Sequence, residues 1–217
     1  MHIIFEDNDI IVCIKPAGIV SQSDSSDKES MISLLSAHTG SDVFPIHRLD
    51  RDVSGIMVYA KNKNSAAKLS TAVANHELIK EYIAIVGGKP SPESGVMHDL
   101  LFKDSSRNKS YVVKRPRKGV KEAVLEYRLI STATINEKTF SAVLIKLHTG
   151  RTHQIRVQFS SRKMPLAGDR KYGGDSDFDS IGLWSYRISF NHPTTNVPIC
   201  FERKPDSPIF KQFDKRP

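Results

Sequence analysis

Cysteine is scarce in this sequence of 217 residues. There are two, Cys13 and Cys200, far apart and each inside an apolar stretch. Two distant cysteines do not build a disulfide framework, and no C-x-x-C spacing is present that would hold zinc. We therefore expect two buried free thiols in a reducing compartment.

Long apolar runs are missing as well. No stretch approaches the roughly 18 apolar residues that cross a membrane. The N-terminus reaches the acidic residues Glu6 and Asp7 without the basic region and long apolar core of a signal peptide. These absences predict a cytoplasmic protein with no membrane partner.

The glycine-rich loop that cradles nucleoside triphosphates is absent too. Gly87–Lys89 is followed by Pro90, and the first glycine of that motif is missing at position 83. His148 and His153 stand five positions apart without a metalloprotease pattern between them. We expect neither a nucleotide-binding loop nor a metal site.

Positive charge, in contrast, is abundant. Lys and Arg outnumber Asp and Glu by 32 to 24, which gives a net charge of +8 and a pI near 9.4. Such a charge balance favours binding to a polyanionic partner such as nucleic acid. The alternative is that the charge has no specific role, because many soluble proteins are mildly basic. Residues 103–122 hold eight Lys or Arg against two acids, which favours phosphate contact over a solvated hairpin. Tyr111 in this segment is interpreted as a strand residue rather than a base-stacking one.

The pattern of apolar residues predicts more strands than helices. Because the two do not alternate strictly, the fold class is α+β rather than a doubly wound parallel sheet. At 39% hydrophobic residues, residues 1–217 are expected to form a single domain. Strands are predicted within 3–15 (two), 56–62, 80–88, 123–130 and 140–150, helices within 31–40 and 64–78, and a polar surface loop at 21–30.

The segment HRLDRDVSG, residues 47–55, sets one carboxylate, Asp50, among basic side chains. A second segment, HTGRTHQIR, residues 148–156, suits a turn followed by a helix, with Thr152 as its N-cap. Arg156 would then lie at the edge of a buried face, where a guanidinium is costly unless it meets a carboxylate. This favours an ion pair between Arg156 and Asp50. The alternative is that Arg156 forms an ordinary structural ion pair with another acid.

Taken together, HRLDRDVSGIMVYAK, KEYIAIVGG and HTGRTHQIRVQFSSRKMPLAGDRKYGG stand in the order and spacing of the RluA-type pseudouridine synthases. The chain resembles this family over nearly its whole length, since IIVCIKPAGIVSQ and LWSYRISFNHP also match. The resemblance implies the pseudouridine synthase fold, a mixed and mainly antiparallel sheet flanked by helices, working without cofactor or metal. No S4-type RNA-binding module is expected.

The resemblance also implies roles for particular residues. Asp50 matches the essential aspartate, Tyr82 the active-site tyrosine and Arg156 the basic residue paired with the aspartate. The implied reaction detaches uracil from C1′ of a uridine in RNA, turns the base and rejoins it through C5. Asp50 could act as the nucleophile at C1′ or as a base at the 2′ position, and the sequence does not choose between them.

Four further residues are expected to bind the substrate: His47, Arg48, Arg151 and Leu183. A paired uridine must flip out to be reached, and by resemblance Arg48 would enter the vacated stack, with a plain phosphate contact as the alternative. Leu183 would form part of the apolar wall under the uracil. The expected partner is an rRNA or tRNA stem-loop, bound by a monomer.

The sequence departs from the family pattern at two places. Val53 stands where the family often has Thr, and Trp184–Ser185 replaces a frequent His-Ala. These changes are expected to affect the detailed wall of the pocket but not the chemistry. Two rival functions share the fold: an inactive RNA-binding or chaperoning protein, and a base-removing hydrolase that releases uracil to water.

Overall fold

The structure is a computed structural model that describes residues 2–22, 29–175 and 177–213. Most of the predicted polar loop 21–30 lies outside these residues. The strands are β1 (His2–Glu6), β2 (Ile10–Lys15), β3 (Phe44–Pro45), β4 (Ser54–Ala60), β5 (Ile79–Gly87), β6 (Ser94–Asp104), β7 (Lys109–Val113), β8 (Val120–Ile135), β9 (Lys138–Leu147), β10 (Leu183–Asn191) and β11 (Pro198–Glu202). The helices are α1 (Met31–Thr39), α2 (Lys63–Ala74), α3 (Gln154–Ser161), α4 (Pro208–Lys211) and a 3₁₀ turn (Arg170–Tyr172).

The chain divides into two compact units. The first unit comprises residues 1–80 with Trp184–Lys204, and the second comprises Glu81–Leu183 with residues 205–217. Pairing in both is mostly antiparallel, so the prediction of an α+β fold on a mixed, mainly antiparallel sheet is confirmed. That residues 1–217 act as a single domain stays a prediction.

In the first unit, β2 lies between β1 and β4, antiparallel to both, and β10 continues the order beyond β4. The β4–β10 pair is parallel and short, with Trp184 opposite Ser54 and Ser185 opposite Gly55. Strand β3 pairs with the far end of β4, and β11 pairs antiparallel with β10. Consequently the segment 46–53 leaves β3 and returns to the start of β4 along one edge of this strand.

The core of the first unit explains why α2 forms where it does. Asn62 caps the helix, since its side-chain oxygen accepts the Ser65 N–H at 2.9 Å. The predicted apolar face is confirmed: Leu69 is fully buried, and Ala66 and Val73 pack against the same cluster. The cluster is completed by side chains of β2, β4 and β10, which alternate inward along each strand.

The second unit is ordered β5-β9-β8-β6-β7. Long antiparallel ladders join β8 to β9 and to β6, and β7 closes the edge as a hairpin with β6. Helix α3 packs on this sheet through Val157, which shares a buried cluster with Leu101, Ala123 and Tyr172. Tyr111 lies in β7, as the strand interpretation predicts.

The two cysteines lie in different environments. Cys13 is buried, and burial raises the pKa of its thiol to about 12. The prediction for Cys200 is wrong, because this residue is exposed on β11, where alternate side chains face outward, and its sulfur accepts from Arg187 Nε at 3.1 Å. Among the described residues, no helix has both the length and the apolar character needed to cross a membrane.

Candidate active site

The loop that carries Asp50 is tied down by a buried lysine. Lys15 is fully buried at the end of β2, and its ammonium donates to the carbonyls of Pro16 (2.8 Å), Ile19 (2.6 Å) and Arg51 (2.9 Å). The Gly18 N–H donates to the same Arg51 carbonyl at 2.9 Å. The Lys-Pro-Ala-Gly turn is therefore bonded to the residue that follows Asp50.

Lys15 also places positive charge close to this loop. Burial lowers its pKa to about 8, while the carboxylates of Asp52 and Asp50 act in the opposite direction and favour the charged form. Asp50 itself is half-buried, and its carbonyl accepts the Val53 N–H at 3.1 Å, which closes a tight turn.

His47, two residues beyond β3, is held as a neutral ring. Its Nε2 accepts the Val58 N–H at 3.2 Å, so its hydrogen is on Nδ1. Burial, with a smaller effect of Lys80, lowers the pKa of His47 to about 3. Nδ1 is buried and has no hydrogen-bond partner among the described residues. The neighbouring Arg48 is exposed. Its entry into the stack of a flipped uridine stays a prediction.

Along one edge of β4, side chains bond the backbone between the part paired with β10 and the part paired with β3. Strand β10 covers residues 54–55 and β3 covers residues 59–60. Between them the Ser185 hydroxyl donates to the Ile56 carbonyl at 2.9 Å, and His47 accepts from Val58. Gly55 is required here, since at φ +125° a Cβ would approach the Ser185 backbone to 2.4–2.8 Å.

The departures from the family pattern have structural roles in this region. The Ser185 hydroxyl satisfies the buried Ile56 carbonyl, which an alanine would leave without that donor. Trp184 is buried and its indole N–H donates to the Arg203 carbonyl at 2.7 Å. Val53 is 2% exposed, so an apolar side chain fits a position that offers almost no water.

In the second unit, Arg156 is buried on α3 and bound by a residue that the sequence analysis missed. Asp169 accepts from Arg156 Nε (2.7 Å, Oδ2) and Nη2 (2.8 Å, Oδ1), a bidentate pair in which both side chains are almost fully buried. The guanidinium carbon also lies 5.2 Å from the centre of the Tyr172 ring. The plane of the guanidinium is thereby fixed. Pairing of Arg156 with Asp50, which lies in the first unit, stays a prediction.

The start of α3 differs from the prediction. The N-cap is His153, not Thr152, and the helix begins at Gln154. No side-chain hydrogen bond caps the helix. The side chain of Gln154 instead holds the turn before it: the oxygen accepts from the Arg151 N–H (3.0 Å) and the Thr149 hydroxyl (2.8 Å). Its amide nitrogen donates to the Val124 carbonyl at 3.1 Å, which ties the turn to β8.

The remaining predicted residues of the second unit have different environments. Tyr82, on β5, and Leu183, at the start of β10, are both buried. Arg151 is exposed, and its Nε donates to the Glu122 carbonyl at 2.8 Å, which directs the side chain along β8. The structure therefore brings Arg151 and Arg156 onto one turn-and-helix segment, with Tyr82 and Leu183 in the same unit.

The basic segment 103–122 forms the β6–β7 hairpin and the connection to β8. Its acid Asp104 is used locally, since its carboxylate accepts the N–H groups of Ser106 (3.0 Å) and Arg107 (3.1 Å). The Arg117 guanidinium stacks over Phe102, 4.6 Å from the ring centre. Exposed cations of this segment are Lys103, Arg107, Lys114, Arg115, Arg117, Lys118 and Lys121. The hairpin consequently presents a surface of mostly positive charge.

One group of side chains in the first unit has the donor types of a metal site. Ligand atoms of Asp7, Asp9 and His192 lie within 4.8 Å of one another. They are used internally: Asp7 Oδ2 is 2.9 Å from His192 Nε2, and Asp9 accepts from Ser65 (2.7 Å) and Asn62 (2.9 Å). These bonds lower the pKa of Asp9 to about 2. The group ties the β1–β2 turn to α2 and to the end of β10.

Comparison with known proteins gives consistent results. A family model described as RNA pseudouridylate synthase matches residues 9–161. A Mycoplasma pneumoniae protein described as an uncharacterised RNA pseudouridine synthase is 33% identical over 221 residues, 99% of this chain and 70% of that protein. A Zymomonas mobilis protein named ribosomal large subunit pseudouridine synthase D is 31% identical over 222 residues, 93% of this chain and 68% of that protein.

Another relative, from Mycoplasma genitalium and also described as an uncharacterised RNA pseudouridine synthase, is 32% identical over 206 residues. This chain spans 65% of its length. Among solved structures, human RNA pseudouridylate synthase domain containing 1 superposes with a TM-score of 0.79 at 21% identity, covering 96% of this chain and 85% of that one. At this identity the likeness concerns the fold.

Proposed function

This chain belongs to the RNA pseudouridylate synthase family of isomerases, and we propose that it converts uridine in structured RNA to pseudouridine with Asp50 as the essential carboxylate. The observation that carries the proposal is the environment of the Asp50 loop. Two hydrogen bonds, from Lys15 Nζ (2.9 Å) and from the Gly18 N–H (2.9 Å), hold the carbonyl of Arg51 next to Asp50, so a buried side chain fixes the backbone that carries this carboxyl group.

The proposed reaction needs no group beyond the protein and the RNA. The C1′–N1 bond of the uridine breaks, the uracil turns, and a C1′–C5 bond forms, after which C5 loses its proton and N1 gains one, so that the product is an isomer of the substrate. Asp50 serves as the nucleophile at C1′ or as the base that removes the 2′ proton; both remain open. In either role the reacting group is the carboxylate, which an amide cannot replace.

We assign Arg156 to orientation of this carboxylate. Asp169 accepts from Nε and Nη2 of Arg156, and a guanidinium presents its N–H donors in a rigid planar fork. The contribution of Arg156 is therefore directional: Asp169 and Tyr172 fix the plane in which its other donors lie. Tyr82 supplies a ring for the turned uracil and a hydroxyl for the C5 proton, and Leu183 an apolar wall.

RNA recognition is assigned to the exposed cations. We assign the exposed Arg48 to the stack left by the flipped uridine; it follows the neutral His47 in the chain. The β6–β7 hairpin and its connection to β8 contact phosphates, and Arg151 extends this surface along β8. The partner is an rRNA or tRNA stem-loop, and we place the protein in the cytoplasm as a monomer. The name of the Zymomonas mobilis relative supports ribosomal RNA.

The test compares Asp50→Asn with the matched control Asp52→Asn, an exposed carboxylate in the same loop. On RNA from cells that lack the gene product, the parent protein and the control should form pseudouridine, detected by mass spectrometry. Asp50→Asn should bind the RNA and give no product, because an amide is neither nucleophile nor base. Activity of Asp50→Asn within about tenfold of the parent would refute the role of Asp50.

Two other results would redirect the assignment. Free uracil in place of pseudouridine would identify a base-removing hydrolase. RNA binding by the parent protein without any product would favour the RNA-binding or chaperoning function. Mapping pseudouridine across cellular RNA with and without the gene product then identifies the RNA class and the modified uridine.

A further inference from the structure

Phe102 on β6 points away from α3. Its neighbour Leu101 belongs to the buried cluster that Val157 of α3 joins, and successive side chains of a strand lie on opposite faces of the sheet. Phe102 shares the outer face with its cross-strand partners, Tyr111 on β7 and Val120 on β8. All three side chains are half-buried. An aromatic ring therefore stands on the side of the hairpin opposite to α3.

The guanidinium of Arg117 lies over this ring. Its central carbon is 4.6 Å from the ring centre of Phe102, within the range of a cation–π contact. Arg117 is nevertheless exposed, so the side of the guanidinium that does not meet the ring meets solvent. Within the described part of the chain, Arg117 is the one exposed cation of segment 103–122 that lies over an aromatic ring.

A tight turn holds the backbone of Arg117. Its carbonyl accepts the Val120 N–H at 3.0 Å, and Gly119, the third residue of this turn, has φ +84°. Glycine adopts this conformation without strain, and a type II turn requires it at the third position. A Cβ built on Gly119 would lie 3.6 Å from the Phe102 ring, so the turn borders the ring. The turn thus returns the chain over Phe102 just before β8 begins.

A guanidinium supported in this way presents a plane to the solvent. Unpaired RNA bases stack on arginine planes as they do on aromatic rings. Every base has a π-face, so such stacking tolerates any base. A lysine ammonium is a point charge on a flexible stem and has no plane. Arg117 therefore differs from the exposed lysines near it, Lys114, Lys118 and Lys121, which attract phosphates but offer no stacking surface.

The charge around Arg117 suits the phosphates on either side of a stacked base. Exposed cations precede and follow it in the chain: Lys114 and Arg115 on one side, Lys118 and Lys121 on the other. An unpaired nucleotide has both of the matching features, a negative phosphate and an open base face. A duplex has the phosphates, but its base faces are stacked on one another. The combination of plane and charge therefore fits unpaired nucleotides.

We propose that Arg117, supported by Phe102, is a base-stacking residue that binds an unpaired nucleotide of the RNA, while the cations around it bind phosphates. The inference rests on the proposed function in one respect, namely that the hairpin contacts RNA. It also sharpens that function, because it requires an unpaired nucleotide at the hairpin besides the uridine that reacts. A stem without unpaired nucleotides would leave this site unused.

The test measures the affinity of the protein for two stem-loop RNAs. Both have a stem of G·C pairs, and the loop contains either cytidines or abasic riboses, so the number of phosphates is the same. The parent protein should bind the cytidine loop more tightly. Arg117→Lys keeps the charge and removes the plane. Its affinity for the cytidine loop should fall about fivefold or more, and its affinity for the abasic loop should equal that of the parent.

Two further variants complete the comparison. Phe102→Leu keeps an apolar side chain and removes the ring under the guanidinium, so its loss of affinity should also be confined to the cytidine loop. Arg128→Lys is the matched control, because Arg128 is an exposed arginine on β8 outside the hairpin. It should bind both RNAs like the parent. If Phe102→Leu does not fold, Arg117→Lys decides alone, since a substitution at an exposed position leaves the fold intact.

A loss below about twofold for Arg117→Lys on the cytidine loop would overturn the proposal, as would a parent protein that binds the two RNAs equally. An equal loss on both RNAs would also overturn it, because Arg117 would then bind a phosphate through its fork of N–H donors. Neither RNA offers a uridine to the reaction, so the result does not depend on isomerase activity. A parent protein that forms no pseudouridine on cellular RNA would refute the proposed function and leave this result unchanged.

Discussion

The two regions that carry the proposed catalytic residues are held by different kinds of bond. The Asp50 loop is fixed mainly through main-chain carbonyls, which accept from the buried ammonium of Lys15. The segment around Arg156 is fixed through side chains, by the bidentate pair with Asp169 and by the ring of Tyr172. Each region contains a buried cation: the Lys15 ammonium bonds main-chain carbonyls, whereas the Arg156 guanidinium bonds the carboxylate of Asp169.

This difference gives the two cations different tasks. Lys15 donates to three main-chain carbonyls and thereby holds the loop that carries Asp50. Asp169 and the ring of Tyr172 fix the plane of the Arg156 guanidinium, so Arg156 is suited to orient an acceptor. Substitutions in the two regions should fail in different ways.

The largest effect is expected from Asp169→Asn, which keeps the shape and removes the charge. A buried arginine left without its counter-ion costs about 3–5 kcal/mol of unfolding free energy. Turnover should fall as well, because the guanidinium plane is no longer fixed. Urea denaturation measures the stability, and Asp175→Asn is the control, since its pair with the exposed Lys138 is worth about 1 kcal/mol or less. A loss below about 1 kcal/mol for Asp169→Asn would mean that the pair does not hold this region.

A smaller effect that depends on pH is expected in the Asp50 loop. The pKa of Lys15 is about 8 in the folded protein, below the ordinary lysine value near 10.5, so the unfolded chain binds more protons between these values. Stability contributed by this residue should therefore rise as pH increases from about 8 to 10.5, and stay constant below that range. Arginine remains protonated throughout, so the Arg156 region should not respond.

Lys15→Met removes the titrating group and provides the comparison. The difference in unfolding free energy between parent and variant, measured from pH 6 to 10.5, should grow in favour of the parent above pH 8. Lys89→Met is the control, because this lysine is exposed and pairs with the exposed Glu93. A pH-independent difference would show that Lys15 titrates normally and that burial does not set its charge.

The sequence predicted the residues with recognisable spacing and missed those brought in by the fold. The apolar face of α2 repeats every three or four residues, so Leu69 was identifiable as core. Asp169 follows Arg156 by 13 positions with no periodicity between them, although it stands in the quoted GDRKYGG stretch. The contact between His153 Nδ1 and the Tyr172 hydroxyl, at 2.9 Å, depends on the 3₁₀ turn meeting the start of α3, which the local sequence pattern does not reveal. The N-cap is His153 in place of Thr152, and no side-chain bond at this end of the helix marked the boundary.

The smallest effects are expected from two buried serines that make the same bond in the two regions. Ser185 donates to the Ile56 carbonyl at 2.9 Å, and Ser110 donates to the Thr152 carbonyl at 2.7 Å; both residues are at most 2% exposed. Replacing either by Ala leaves a carbonyl without its donor and should cost about 1 kcal/mol of unfolding free energy. The stability of the two variants should therefore be similar in urea denaturation.

Their turnover should differ. Ser185→Ala introduces the residue frequent at this position in the family and alters only the edge of β4, so single-turnover rates should stay within about twofold of the parent. Ser110→Ala releases the Thr152 carbonyl just before α3, the helix that carries Arg156, and its rate should fall several-fold at saturating RNA, with the RNA affinity unchanged. Equal rates for the two variants would show that the start of α3 keeps its position without Ser110, and that this bond matters no more for catalysis than the bond of Ser185.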